Sequence, residues 1–186
     1  MFPRAYVKSK DMPQIQNRSL ESEVTALYGV IDVSKIVNES KRLYIDTLKG
    51  EFCEHYLEGF EEFIELMYNY VLGLVIDHVN GEVLFDFVIE NPRKSVTVLI
   101  PRGVKVVVIE ARGKAVHSLV EEGDEVSEQA KVFYIITRKY EVRVVRTPVR
   151  GVVVHIGEIV QSIPQTLVMV IADASSIRWL RRSDRC

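Results

Sequence analysis

The sequence predicts an α+β N-terminal region followed by an all-β domain built as a barrel or sandwich. Three observations carry that expectation. Apolar residues recur at three- and four-residue steps between residues 60 and 71, an Asn-Gly pair joins two strand-like runs, and beyond residue 98 the chain becomes a succession of short β-runs. On this reading residues 1–97 form the α+β region, 98–174 the β domain and 175–186 a basic C-terminal tail.

In chain order, "YGVIDVSKIV" and "KRLYIDTLKGEFCEHYL" read as strands, with a turn at Lys49-Gly50. A helix is expected over about 58–72. Phe60, Phe63, Ile64, Met67, Tyr68 and Val71 form its apolar stripe, Glu61, Glu62 and Glu65 lie mostly opposite, and Gly73 ends it. A hairpin is expected over about 74–90, where Asn80-Gly81 suits the positive φ angles of a type I′ turn. Pro92 closes that segment. The β-runs that follow are "VTVLIP", "VKVVVIEA", "AVHSLV", "KVFYIITR", "YEVRVVR", "GVVVHI" and "TLVMVIA". Arg102-Gly103, Glu122-Gly123-Asp124 and Gly157 supply turn signals between several of them.

The β region repeats itself. Gly113 to His117, Gly123-Asp124-Glu125-Val126 and Val132 to Ile136 match Gly151 to His155, Gly157-Glu158-Ile159-Val160 and Leu167 to Ile171. Two similar β-halves related by a pseudo-twofold axis follow from such a repeat. In each, the glycine before an acidic residue is expected to make a tight turn with positive φ.

The order Gly-Asp-x-Val, β-run, hairpin with a lysine, then Pro-Val-x-Gly resembles the biotinyl/lipoyl-like barrel-sandwich hybrid. The resemblance covers roughly residues 105–172. In that family the hairpin lysine lies sixteen positions after the glycine, which here is Lys139 counted from Gly123. Pro148 follows Lys139 by nine residues where the family has eight, so the outgoing strand is expected to absorb one residue in a β-bulge. The whole chain is similar to an uncharacterised archaeal family carrying such a domain. The resemblance implies Lys139 as the attachment point for lipoyl or biotin. Its flanks, Arg138 and Tyr140, are neither the methionines of biotinylated domains nor the acidic residue of lipoylated ones. Arg138, Lys139, Arg143 and Arg146 also make the hairpin basic, against the acidic or neutral rim that suits a swinging arm.

The remaining chemistry is sparse. His117 and His155 occupy equivalent repeat positions, and a twofold axis would let them share a metal. His55, Glu58 and Glu62 mimic a di-metal helix without its second helix, and Asp77-His78 is an isolated acid/base couple. No phosphate loop, nucleophile elbow, CxxC or dinucleotide fingerprint occurs. The net charge of −2 gives no global pull toward nucleic acid or a membrane surface. The tail, with Arg178, Arg181, Arg182 and Arg185 around Trp179, reads as solvated. Cys53 and Cys186 suggest neither zinc nor a disulfide framework. A cytoplasmic protein is expected, and abundant Val and Ile with few Gln and Asn point to a thermophilic source.

The function expected is a non-catalytic binding or scaffold module on a carrier-like fold, with a protein partner or a second copy of the chain. The alternatives are a cofactor carrier using Lys139, and a metal protein or small enzyme using His117 and His155.

Overall fold

The computed structural model describes residues 2–159 and 162–186. Strand β1 (Arg4–Lys8) leads into helices α1 (Met12–Arg18) and α2 (Ser22–Tyr28). Pro13 sits in the first turn of α1, where a missing amide hydrogen costs nothing. Strands β2 (Val37–Asp46), β3 (Glu51–Cys53) and β4 (Glu61–Leu66) follow, then β5 (Ile76–Asp77) and β6 (Glu82–Val83), β7 (Phe87–Asn91) and β8 (Val96–Ile100). The later chain forms β9 (Val106–Gly113), β10 (Ala115–Ser118), β11 (Glu125–Val126), β12 (Lys131–Ile136), β13 (Val142–Arg146), β14 (Gly151–Glu158) and β15 (Gln165–Ala172). Two short strands, β16 (Arg178–Trp179) and β17 (Arg181–Arg182), complete it.

One eight-stranded sheet runs β16-β8-β7-β1-β4-β2-β3-β17. Its two outermost strands are separated in sequence only by Leu180, so the C-terminal segment bridges the first and last strands and nearly closes a barrel. Leu180 is buried inside with Tyr6, Leu43, Ile45, Phe63, Val88 and Leu99. The residues read as a solvated tail are therefore a stave. Cys186 bonds to Cys53 across 133 residues, with Cα atoms 5.8 Å apart, and ties the stave to β3. That pairing corrects the expectation of two unconnected cysteines.

The helix expected over 58–72 is not formed; its centre is β4, held between β1 and β2. A strand with both faces covered carries apolar residues on both, and its short run mimics helical spacing. Phe63 points into the barrel cluster while Ile64 and Leu66 join the larger cluster outside it. Met67, assigned to the helix stripe, is 44% exposed. The glutamates do not line a solvated helix face. Glu61 pairs with Lys8 at 2.9 Å, Glu62 with Arg42 at 2.5 Å and Glu65 with Arg4 at 3.7 Å, all on neighbouring strands. The N-terminal region is thus mainly β, with two seven-residue helices that the periodicity did not indicate.

The Asn-Gly hairpin exists but is short. Ile76 pairs with Val83 and Asp77 with Glu82, leaving a four-residue turn rather than a two-residue type I′ turn. The Asp77 carboxylate accepts the Val79 and Asn80 amides, both at 2.9 Å, which holds that wider turn.

The second lobe pairs a four-stranded sheet, β11-β14-β15-β9, with a three-stranded sheet, β10-β12-β13. Val116, Val126, Phe133, Val153, Met169 and Ile171 are among the residues enclosed in its core. β8 belongs to the barrel, so this lobe begins at β9, later than the residue 98 boundary expected. Val154, Val168, Val170 and Ala172 turn the other way, into the cluster that also holds Ala5, Val7, Leu66 and Ile89. The two lobes consequently share one core.

Of the two glycine turns expected from the repeat, one is formed. Gly123 has φ +87° as expected, whereas Gly157 lies within β14 opposite Val168. Of the second copy, Val160 lies outside the described residues.

Candidate functional site

The hairpin between β12 and β13 presents Lys139. Tyr140 N–H donates to the Thr137 carbonyl and Thr137 N–H to the Glu141 carbonyl, each at 2.9 Å, which leaves Arg138, Lys139 and Tyr140 as the loop. Tyr140 takes φ +63°, the bulge position of a three-residue hairpin loop. The Lys114 ammonium supports it, lying 3.8 Å from the Tyr140 ring centroid and donating to its hydroxyl. Lys139 is exposed at the tip and makes no hydrogen bond or ion pair with the described residues. The register shifts between Lys131 and Phe133, so the bulge in this ladder is in β12; β13 pairs from Val142 to Val145 without one, and the residue in excess of the carrier pattern between Lys139 and Pro148 is not taken up by a bulge there.

A second constellation lies at the seam between the lobes. Tyr68 donates its hydroxyl hydrogen to the Glu122 carboxylate and accepts the Ile156 amide at 3.0 Å. Asn91, on β7, donates to the Glu122 carbonyl at 2.9 Å. The His155 ring packs on Tyr68 with centroids 4.7 Å apart. His155 is fully buried, and neither ring nitrogen has a hydrogen-bond partner among the described residues. Burial alone pushes its pKa down to about 3, so the ring is neutral at neutral pH. Burial also raises the Glu122 carboxyl. The Tyr68 phenol is raised well above its ordinary range, first by burial and then by Glu122. Side chains from both lobes meet here, so the cluster ties barrel to second lobe.

The third feature is one mouth of the barrel. Alternation along β1 sends Arg4 and Tyr6 inward, where Tyr6 donates to Glu90 at 3.0 Å and Arg4 lies 3.5 Å from Glu90 and 3.7 Å from Glu65. Burial and the neighbouring Glu90 raise the Tyr6 phenol. A groove of about 390 Å³ opens here, lined by Arg4, Tyr6, Leu43, Glu54, His55 and Glu90 among others. These charges compensate one another, so the mouth offers hydrogen bonds rather than an activated nucleophile. Sequence reasoning missed this set because Tyr6 and Glu90 are 84 residues apart. The alternation in "RAYVK" is the one local signal.

The other sequence-derived candidates are dispersed. His117 is exposed on β10 opposite Tyr134, while His155 is buried on β14 in the other sheet. Among the described residues no group of three His, Cys, Asp or Glu side chains is placed to hold a metal ion. His55 and Glu58 lie in the loop after β3, away from any helix, and Asp77 caps its turn. The tail arginines are engaged with the barrel. Arg178 donates to the Thr47 and Leu48 carbonyls, Arg181 pairs with Glu51 at 2.9 Å and Arg185 lies 5.2 Å from the Phe60 ring centroid.

A mostly β protein of two packed lobes, with a barrel mouth and a basic hairpin exposed, is the class these features define. The chain belongs to an archaeal family, DUF2118, described as an uncharacterised protein conserved in archaea, whose profile matches residues 1–174. No curated protein matches the chain. Among the described residues no helix is long and apolar enough to cross a membrane.

Proposed function

We propose that this chain is a non-catalytic binding or scaffold module whose second lobe is a biotinyl/lipoyl-like barrel-sandwich hybrid used without its cofactor. The observation that carries the reading is the shared core. Val154, Val168, Val170 and Ala172 of that lobe are buried with Ala5, Val7, Leu66 and Ile89 of the barrel region, so the hairpin is fixed to a rigid body. A carrier arm works by moving between sites, and burying one face of its domain opposes that motion. The basic hairpin gives further support, since a client enzyme and a ligase reading an acidic rim would meet Arg138, Arg143 and Arg146 instead.

A second reading, a lipoyl or biotin carrier, is favoured by one observation: Lys139 is exposed at the loop tip with its amine free. The test is the intact mass of the protein from its native source, followed by peptide mapping across the hairpin. The scaffold reading expects an unmodified Lys139; a lipoyl or biotinyl increment on that residue overturns it.

A further inference from the structure

The three-stranded sheet of the second lobe ends on β13, which pairs with β12 alone. The direction of its backbone groups follows from the loop. Thr137 N–H bonds to the Glu141 carbonyl, so 137 and 141 are a hydrogen-bonded pair. Antiparallel pairs alternate, and the register matches Ile136 with Val142, Ile135 with Arg143 and Tyr134 with Val144. Arg143 therefore bonds inward to β12, while the N–H and C=O groups of Val142 and Val144 point away from it. These groups have no partner among the described residues.

The side chains along this edge are also open. Val142 is 66% exposed, Val144 40% and the neighbouring Tyr134 36%. Around them stand Arg138, Lys139, Arg143 and Arg146 against the single acid Glu141, a local charge of +3 on a chain whose total is −2.

We propose that the open edge of β13 docks an extended acidic peptide segment of a partner protein, which joins the sheet as a fourth strand. The proposal rests on the binding-module reading above. Main-chain hydrogen bonds to Val142 and Val144 supply affinity; Arg143 and Arg146, three positions apart on the strand, project from opposite faces, so carboxylates on alternate residues of the partner pair with one of them and are attracted by the net positive charge of the rest. A second copy of this chain is the wrong occupant. The antiparallel self-pairing that matches Val142 with Val144 sets Arg143 opposite Arg143, and any self-pairing brings two edges of charge +3 together, which is destabilising. The same cations that guard the edge against self-association select an acidic strand.

The test titrates the full chain, by fluorescence anisotropy, with a labelled octapeptide of alternating glutamate and valine. The same peptide with lysine for glutamate and a single-stranded oligouridine serve as the other probes. The acidic peptide should bind at least about tenfold tighter than the basic one, and Arg143→Glu with Arg146→Glu should weaken it by about tenfold or more. Val144→Pro removes one outward amide, a substitution edge strands tolerate, and should abolish binding at an unchanged melting temperature. If that variant unfolds, hydrogen exchange on the wild type replaces it: the Val142 and Val144 amides should become protected when the peptide binds. Equal affinity for both peptides, binding that survives the variants, unprotected amides, or oligouridine binding with no peptide binding each overturns the proposal. The titration uses unmodified protein, so its outcome is independent of what the Lys139 mass reveals.

Discussion

His155 should make the protein lose stability on mild acidification, and the size of the loss can be worked from its burial. In the unfolded chain the imidazole titrates at its ordinary 6.5, whereas in the folded protein burial holds it at about 3. A folded-state pKa below the unfolded one means that the unfolded chain binds the proton first. The contribution is fully present above pH 6.5 and is lost as pH falls toward 3. At about 1.4 kcal/mol per pH unit, roughly 3 kcal/mol disappears between pH 6.5 and pH 4, and about 5 kcal/mol in all. The Glu122 carboxyl, raised by burial, works in the opposite sense, gaining stability as pH falls. It is common to wild type and variant, so the difference between them isolates His155. The variant is His155→Leu, which keeps an apolar body against Tyr68 and removes the two unpartnered nitrogens. Denaturant unfolding at several values between pH 7 and pH 4 should show a wild-type loss about 3 kcal/mol larger than that of the variant. Parallel pH profiles would refute the reasoning, because they would mean that His155 takes up its proton as readily in the folded protein as in the unfolded chain.

Two further outcomes test the architecture. Phe63→Ala should cost about 3–5 kcal/mol because the ring is fully enclosed in the barrel, while Met67→Ala, at a side chain 44% exposed, should cost under about 1 kcal/mol. Equal costs in denaturant unfolding would favour the helix instead. Cys186→Ser should lower stability by up to about 5 kcal/mol, the chain-entropy value for a loop of 133 residues. A reducing agent should shift the wild-type unfolding midpoint in the same direction and leave the variant unmoved; a midpoint insensitive to reduction would show that the bond does not hold the closing stave.

The second lobe was the more legible part of this chain, and the reason is local. Apart from the two-residue β11, its strands alternate or run apolar over four to eight residues, and Gly123 needs its positive φ where the sequence puts it. The hairpin loop could be placed because Lys139 and its neighbours interrupt two β-runs. The bulge expected in the outgoing strand is not formed, and the one in β12 falls where the residue count gives no surplus, because a bulge depends on how the two strands pair and not on their lengths alone. At the seam, His155 was noticed as half of a repeat pair. Its burial against Tyr68 depends on contact with a residue 87 positions earlier and has no local signature.

The barrel was hidden for the same reason. "EEFIEL" carries no turn or cap that separates strand from helix, and only β1 and β2 on either side, with Lys8, Arg4 and Arg42 facing its glutamates, decide the matter. Helices α1 and α2 span two turns each, too short to build a recognisable stripe. The C-terminal arginines look solvated in isolation and become structural once Leu180 finds the barrel interior and Cys186 reaches Cys53. By itself the sequence determined where β-runs and turns fall and where a charged loop stands exposed. Which strands pair, which faces are covered and which edge is left open were decided by the tertiary structure, because hydrogen bonds between strands and burial between faces join residues whose neighbours in sequence say nothing of one another.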